Sequence, residues 1–215
     1  QRIVTGSADE TAKVWDAKTG QELLTLQAHD DYVNSVSCSP DGQRIVTGSD
    51  DMTVKVWDAE TGRELSTLTG HDGAVISVAW SPDGKQILTG SWDKTAKVWD
   101  AETGRELSTL GHDIVVIEVA WSPDGQHIRT GSMGNRAKVW DAQTGRELST
   151  LKGREGSVQS AVWSPNGKRI ATAGRDGIVQ IYTTDMEELL QIAESRVTRQ
   201  LTAEEKEKYG VLDLN

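Results

Sequence analysis

Apolar and polar positions along this chain fall into short runs of strand length separated by turn residues, and the arrangement recurs many times. One copy shows it plainly. Residues 74–80 are mostly apolar and end on Ser81-Pro82-Asp83-Gly84, whose proline and glycine suit a tight turn between strands. Residues 86–91 (QILTGS) read as a second strand. After the turn 92–94, TAKVWD at 95–100 reads as a third, and after AETGR, ELSTL at 106–110 reads as an outer fourth. Residues 111–114 (GHDI) then lead into the next copy.

Trp15, Trp57, Trp99 and Trp140 recur at steps of 42, 42 and 41, and Tyr182 follows after another 42. That makes five copies. Four strands of about 5 to 6 residues with tight turns occupy such a step, so each copy reads as one blade of a propeller. The first copy enters at Arg2 in a second strand and the last stops near Thr183 after a third. The first blade is therefore expected to lack its innermost strand and the last its outermost. A further stretch of roughly 25 residues would complete five blades, and two additional repeats of roughly 42 residues would give seven, the number that the family resemblance set out below implies. Open strand edges follow from either count.

The pairs Gly70-His71 and Gly111-His112, with Trp15-Asp16, Trp57-Asp58, Trp99-Asp100 and Trp140-Asp141, make residues 2–183 resemble the WD-repeat family. The resemblance implies an all-β WD-repeat propeller over residues 1–183. It also implies a buried His, Asp, Ser or Thr and Trp that hydrogen-bond across each blade. The matching positions are His29, Thr47, Asp51 and Trp57, then His71, Thr89, Asp93 and Trp99. The third set keeps His112, Thr130 and Trp140 but has Gly134 where the aspartate belongs. The fourth has Arg154 for His and Tyr182 for Trp while keeping Thr172 and Asp176, so an Arg154–Asp176 ion pair is expected and the late blades should be the less stable.

A histidine beside an aspartate and a hydroxyl has the composition of a hydrolase triad, but here it repeats from blade to blade. An enzyme needs one site, whereas a scaffold needs the same satisfied buried bonds throughout. No catalytic residue, metal site or cofactor is expected. The four histidines lie at repeat positions or, for His127, at the start of a second strand, and the 21 glycines are spread through turns rather than gathered in a phosphate loop. Cys38 occupies the slot of Trp80, Trp121 and Trp163, which reads as packing, with a reactive thiol the lesser alternative. An enzyme built on His112 or Cys38 remains a third, weaker reading.

The copies can be compared with one another. KVWDAETGRELSTL stands unchanged at 55–68 and 97–110, and returns at 138–151 with only Gln143 altered. These constant turns, together with the SPDG turns, must share one face because strands in a blade alternate direction. The two variable loops share the other. They carry the candidate partner-binding residues Tyr32, Asn34, Asp50, Ile76, Trp92, Val115, Ile117, Met133 and Arg175. Apolar and aromatic residues at such positions mark an interaction surface, and the family resemblance places partners on this face too. The alternative is that Ile76 and Ile117 point into the core while Trp92 covers a neighbouring loop.

A net charge of -10 opposes nucleic acid and anionic membrane, and no apolar run reaches the ~18 residues of a span. With a lone cysteine and no leader pattern at Gln1, a cytoplasmic protein with a protein or peptide partner is expected. The tail, 184–215, places Leu189, Ala193, Val197 and Leu201 at steps of four, an amphipathic helix, and Thr202 to Glu205 has capping-box spacing for a second one ending near Gly210. The tail packs on the propeller or holds another domain. Through RVTRQL and TAEEKEKYG it resembles tails that follow WD-repeat arrays in large bacterial signalling proteins. The functional expectation is a non-enzymatic protein-interaction module, in its fuller form the sensor of such a signalling protein, alongside other domains of a larger parent chain. The competing expectation is a structural repeat domain that self-assembles through its open edges or tail.

Overall fold

In the third repeat the burial of each strand follows its place in the blade. The second strand, Gln86–Ser91, is buried at every residue after the first, the third, Thr95–Asp100, alternates, and the fourth, Glu106–Gly111, buries only Leu110 fully. Strands near the middle need two apolar faces, while the outermost needs only its inward contacts. The same gradient recurs in the second and fourth repeats of the computed structural model, which describes residues 1–27, 29–133, 136–152, 158, 160–174, 176–185, 188–191 and 195.

Those residues form five antiparallel sheets. The first is Arg2–Gly6 (β1), Thr11–Asp16 (β2) and Glu22–Gln27 (β3). The second is Val33–Cys38 (β4), Arg44–Ser49 (β5), Val54–Asp58 (β6) and Glu64–Leu68 (β7). The third is Val75–Trp80 (β8), Gln86–Ser91 (β9), Thr95–Asp100 (β10) and Glu106–Gly111 (β11). The fourth is Val116–Trp121 (β12), His127–Ser132 (β13), Arg136–Asp141 (β14) and Glu147–Lys152 (β15). The fifth is Ser160–Trp163 (β16), Arg169–Ala173 (β17) and Val179–Thr183 (β18). Strand order follows chain order within every sheet. β1 pairs with β2 as β9 pairs with β10, Ile3 opposite Trp15 and Ile87 opposite Trp99, so the first sheet does begin at a second-strand position.

The constant turns hold themselves together. Ser81 Oγ donates to Asp83 Oδ1 at 2.6 Å, and Gly84 closes the turn at φ +70°, a left-handed position that glycine takes without strain. In the other constant turn Asp100 Oδ1 accepts from the backbone N and the hydroxyl of Thr103, both at 2.7 Å, which is why an aspartate follows Trp15, Trp57, Trp99 and Trp140.

Neighbouring sheets pack face to face, and each junction has its own core. Between the second and third blades Val46, Val56 and Leu68 meet Val75, Val78, Trp80 and Trp99. Between the third and fourth, Leu88, Val98 and Leu110 meet Val116, Val119, Trp121 and Trp140. Alternation along β10 thus sends Val98 forward and Trp99 backward. Each such fully buried side chain stabilises the fold by roughly 1.5–3 kcal/mol. The closest fit is glycine against valine: a Cβ on Gly48 would lie 2.7 Å from Val75 Cγ1, and one on Gly90 would lie 2.8 Å from Val119 Cγ1.

The fourth junction departs from this plan. Ala161 stands where Val36, Val78 and Val119 stand, and the three atoms nearest a Cβ on Gly131 belong to Glu118 and Arg129 of its own blade. Arg129 occupies the position of Val46 and Leu88 yet is 2% exposed, and it forms a two-pronged ion pair with Glu118 at 2.7 and 3.0 Å. Its Nε has no partner among the described residues. The fourth junction is thus the looser one at Gly131. The Arg154 half of the expected Arg154–Asp176 pair lies outside the described residues, while Asp176 Oδ1 accepts from Ile178 N.

Beyond Thr183, residues 188–191 are helical, and Glu188 reaches back to Arg169 at 2.9 Å. Ala193, Val197, Leu201 and the expected second helix lie outside the described residues. No helix among the described residues is long and apolar enough to cross a membrane.

Candidate partner-binding face

Beneath the variable rim, each of the two middle blades carries a one-way chain of hydrogen bonds. The Trp99 indole N–H, which can only donate, gives to Thr89 Oγ1 at 2.9 Å. Thr89 Oγ1 lies 2.7 Å from His71 Nε2, and His71 Nδ1 lies 2.6 Å from Asp93 Oδ2. Since the carboxylate can only accept, Nδ1 carries the proton, and Nε2 accepts from the threonine hydroxyl. Trp57, Thr47, His29 and Asp51 repeat the chain at 2.9, 2.6 and 2.7 Å. Asp93 Oδ1 also accepts from Thr95 N and its hydroxyl, so the aspartate fixes the hairpin turn next to it.

This explains why the constellation is not a nucleophilic site in geometry. Thr47 and Thr89 are 0% exposed, and their oxygens already hold a tryptophan N–H. No substrate atom can approach them. Burial holds His29 and His71 below the ordinary histidine value, against the opposing pull of Asp51 and Asp93. His112 keeps its bond to Thr130 at 2.9 Å, with Trp140 donating to the same oxygen at 2.8 Å. It bonds no carboxylate among the described residues, and burial lowers its pKa to about 4. Gly134, the reason for that loss, is outside the described residues. In the fifth blade Thr172 is buried, and the Tyr182 hydroxyl donates to Gln180 Oε1 at 3.1 Å. Among the described residues no group of three or more His, Cys, Asp or Glu is placed to hold a metal ion. Cys38 does not pack as Trp80 does: it is exposed, for Trp80 donates to Ser37 O of β4 at 3.2 Å, whereas the described part of the first sheet begins at β1 and has no strand in the matching place beside Cys38.

The two variable loops meet within the second, third and fourth blades. Asp50 N donates to Tyr32 O at 2.9 Å, Trp92 N to Ala74 O at 2.9 Å and Met133 N to Val115 O at 3.2 Å. Strand alternation puts these loops on the same rim. Of the candidate residues, Tyr32 is 50%, Trp92 56%, Ile117 37% and Met133 61% exposed. Asn34 is exposed and bridges blades, donating from Nδ2 to Asp50 Oδ1 at 2.7 Å and to Val75 O of the next blade at 3.2 Å. Asp50, Ile76 and Val115 are only half exposed, and Arg175 lies outside the described residues.

A feature absent from the sequence reading explains three of these placements. The first strands of the second, third and fourth blades each contain a bulge: Val33 and Ser35 pair with adjacent Ser49 and Gly48, Val75 and Ser77 with Ser91 and Gly90, and Val116 and Glu118 with Ser132 and Gly131. The extra residues are Asn34, Ile76 and Ile117. A bulge takes one residue out of the ladder and re-aims it, so the preceding valine stays in the junction while its neighbour leaves the ladder: Asn34 reaches Val75 O of the next blade, and Ile117 borders a small cavity with Val158 and Ala161 of the blade after its own. Two apolar residues in succession, Val75-Ile76 and Val116-Ile117, were the available sign. The adjacent hairpin turns hold Met52 and Lys94 at φ +67° and +70°, conformations unfavourable to non-glycine residues.

Residues 1–134 match the family described as IFT122 first beta-propeller, and residues 145–183 match the WD domain, G-beta repeat. The chain belongs to this family of WD-repeat β-propellers. Individual relatives align over about one repeat of the propeller. Ribosome assembly protein 4 of Chaetomium thermophilum is 48% identical over 42 residues, 20% of this chain and 8% of its own length. Nuclear distribution protein PAC1-2 of Postia placenta is 44% identical over 41 residues, 19% of this chain and 10% of its own length. Coronin-7 of Mus musculus is 44% identical over 41 residues, 19% of this chain and 4% of its own length. The similarity therefore covers a tenth or less of each of these relatives.

Proposed function

We propose that this propeller is a non-enzymatic recognition module that docks a protein or peptide partner on its variable rim, around Trp92, Met133, Ile117 and Tyr32. The observation that carries this is the exposure of these large side chains at the positions where otherwise copied blades differ. Exposed aromatic and apolar side chains gathered on a rigid frame are what interface hot spots are made of. Asp30, Asp31, Asp72 and Asp113 are exposed on the same loops, so the partner segment that fits is apolar with basic residues at its edges. A net charge of -10 favours such a partner over nucleic acid or an anionic membrane, and the single cysteine agrees with a cytoplasmic setting. The relatives named above, whose own names speak of ribosome assembly and nuclear distribution, support an interaction role. A bacterial signalling parent rests on the tail motifs alone.

The test compares proteins retained by the unaltered chain, by Trp92→Ala and by Glu60→Ala, which changes a constant turn. A partner on this rim is held by the first and third but loses roughly 2 kcal/mol or more of affinity with Trp92→Ala, at unchanged melting temperature. Equal retention by both variants overturns the reading. Concentration-dependent mass by light scattering, abolished by trimming the tail or the outer strands, would favour self-assembly instead.

A further inference from the structure

The opening residue of each second strand is Arg2, Arg44, Gln86, His127 and Arg169 in turn. Two of the arginines tie one blade to the next on the rim opposite the variable loops. Arg44 donates from Nη1 to Ala101 O at 3.1 Å and from Nη2 to Gly84 O at 3.0 Å, and its guanidinium lies 4.7 Å from the Trp80 ring centroid. Both carbonyls and the ring belong to the third blade. One junction earlier, Arg2 makes the first of these bonds, donating to Ala59 O at 2.6 Å.

Between the third and fourth blades Gln86 takes the arginine's place, and its side chain makes no hydrogen bond to a described residue. The matching acceptors are there: Gly125 O and Ala142 O, to which no described residue donates, and the ring of Trp121. In front of them opens a cavity of about 790 Å³, bordered by Gln86, Trp121, Gly125 and Ala142, against about 260 Å³ beside Arg44. Its charge is altered in the same sense. Lys85, beside Arg44, is matched here by Gln126, so no lysine stands in the way of another cation.

Three carboxylates, Asp83, Asp124 and Asp141, complete the border. Hydrogen bonds from Ser81 and Thr144 hold Asp83 and Asp141 below the usual carboxylate range. Burial opposes the same shift at Asp124, but Ser122 and Gln126 N outweigh it. All the turn bonds to these residues fall on Oδ1, so each Oδ2 is uncommitted among the described residues.

We propose that this cavity binds the guanidinium of an arginine side chain presented by a partner polypeptide, in the place between blades three and four that Arg44 fills between blades two and three. Two fixed carbonyls and an indole face suit a planar fork of donors that also stacks, whereas an ammonium is a point charge with neither property. The carbonyls are held by closed turns, so little ordering is needed on binding. The site lies across the molecule from Trp92 and stands or falls separately from the rim proposed above.

The probe is acetyl-arginine-amide, titrated into the full chain while the indole N–H resonances are followed and Trp121 is assigned by Trp121→Phe. A saturable shift at Trp121 is expected, with Trp80 unmoved because Arg44 already covers it. Acetyl-lysine-amide should bind at least ~10-fold more weakly, and the neutral acetyl-citrulline-amide should not bind. Gln86→Arg, which introduces the residue of the preceding junction, should raise the melting temperature and abolish the shift. Asp124→Asn keeps the turn, as Asn166 does in the fifth blade by accepting from Ser164 Oγ at 2.7 Å, and should weaken binding. Absence of a saturable shift overturns the proposal, as does equal binding of lysine and arginine probes or undiminished binding to Gln86→Arg.

Discussion

His71 and Thr89 stand 2.7 Å apart, and the proton between them belongs to the threonine. The histidine is therefore an acceptor there and a donor to Asp93, the middle link of a chain that starts at Trp99. Removing it leaves groups unpaired on both sides. His112 has only the threonine side of this arrangement among the described residues. His71→Ala should accordingly cost ~1 to 3 kcal/mol and His112→Ala distinctly less. Urea midpoints of the two variants decide it, and equal or reversed values would contradict the assigned roles.

The same burial makes stability depend on pH in a predictable direction. His112 is held at about 4 when folded and has an ordinary value of 6.5 when unfolded, so the unfolded chain takes up a proton that the folded one refuses. Its contribution to stability is fully present above pH 6.5 and is lost progressively as the pH falls towards 4. His29 and His71, also lowered, act in the same sense. Urea midpoints measured across this window should fall with decreasing pH, and His112→Gln should make the fall shallower. A variant with an unchanged slope would show that His112 is not neutral in the folded state.

Substituting the glycines of the junctions separates a tight interface from a loose one. Gly90→Ala forces a Cβ to within 2.8 Å of Val119 Cγ1 and should cost ~1 to 3 kcal/mol. Gly131→Ala meets nothing nearer than Glu118 Cβ at 3.4 Å and should be close to neutral. Thermal melts of the pair check the ranking.

Lys94 sits at φ +70° in the hairpin turn beside Trp92. A glycine there adopts the conformation without the Cβ clash, so Lys94→Gly should stabilise the native turn by up to ~1 kcal/mol despite the added freedom of the unfolded chain. Gly177, at φ +74° in the fifth blade, shows the turn already made that way. A lower melting temperature for the variant would count against strain at this position.

Much of the fold was legible because the tryptophan period and the turn residues act locally. Gln86–Ser91 and Thr95–Asp100 begin and end where the pattern placed them, and the bonds of His29 and His71 join the residues that the family resemblance named. The variable rim was less so. A bulge is a register event between two strands, and nothing in Val75-Ile76 alone says which residue leaves the ladder. The cross-blade arginines escaped notice for a related reason. Arg44 and Ala101 are 57 residues apart, and their meeting depends on how successive sheets pack.

The glycine-and-valine fit has one more consequence, for how such a chain changes over generations. Gly48 receives Val75 and Val78, and Gly90 receives Val116 and Val119, so the leading surface of one blade matches the trailing surface of the next but one. The stretches 55–68 and 97–110 are identical in sequence. An unequal exchange between the coding segments for those stretches removes or inserts 42 residues, one full blade, with every strand still in phase. Gly48 would then face Val116 and Val119, a joint of the same shape. The repeats are interchangeable parts, and a rim can be recomposed by recombination without any new packing having to be invented.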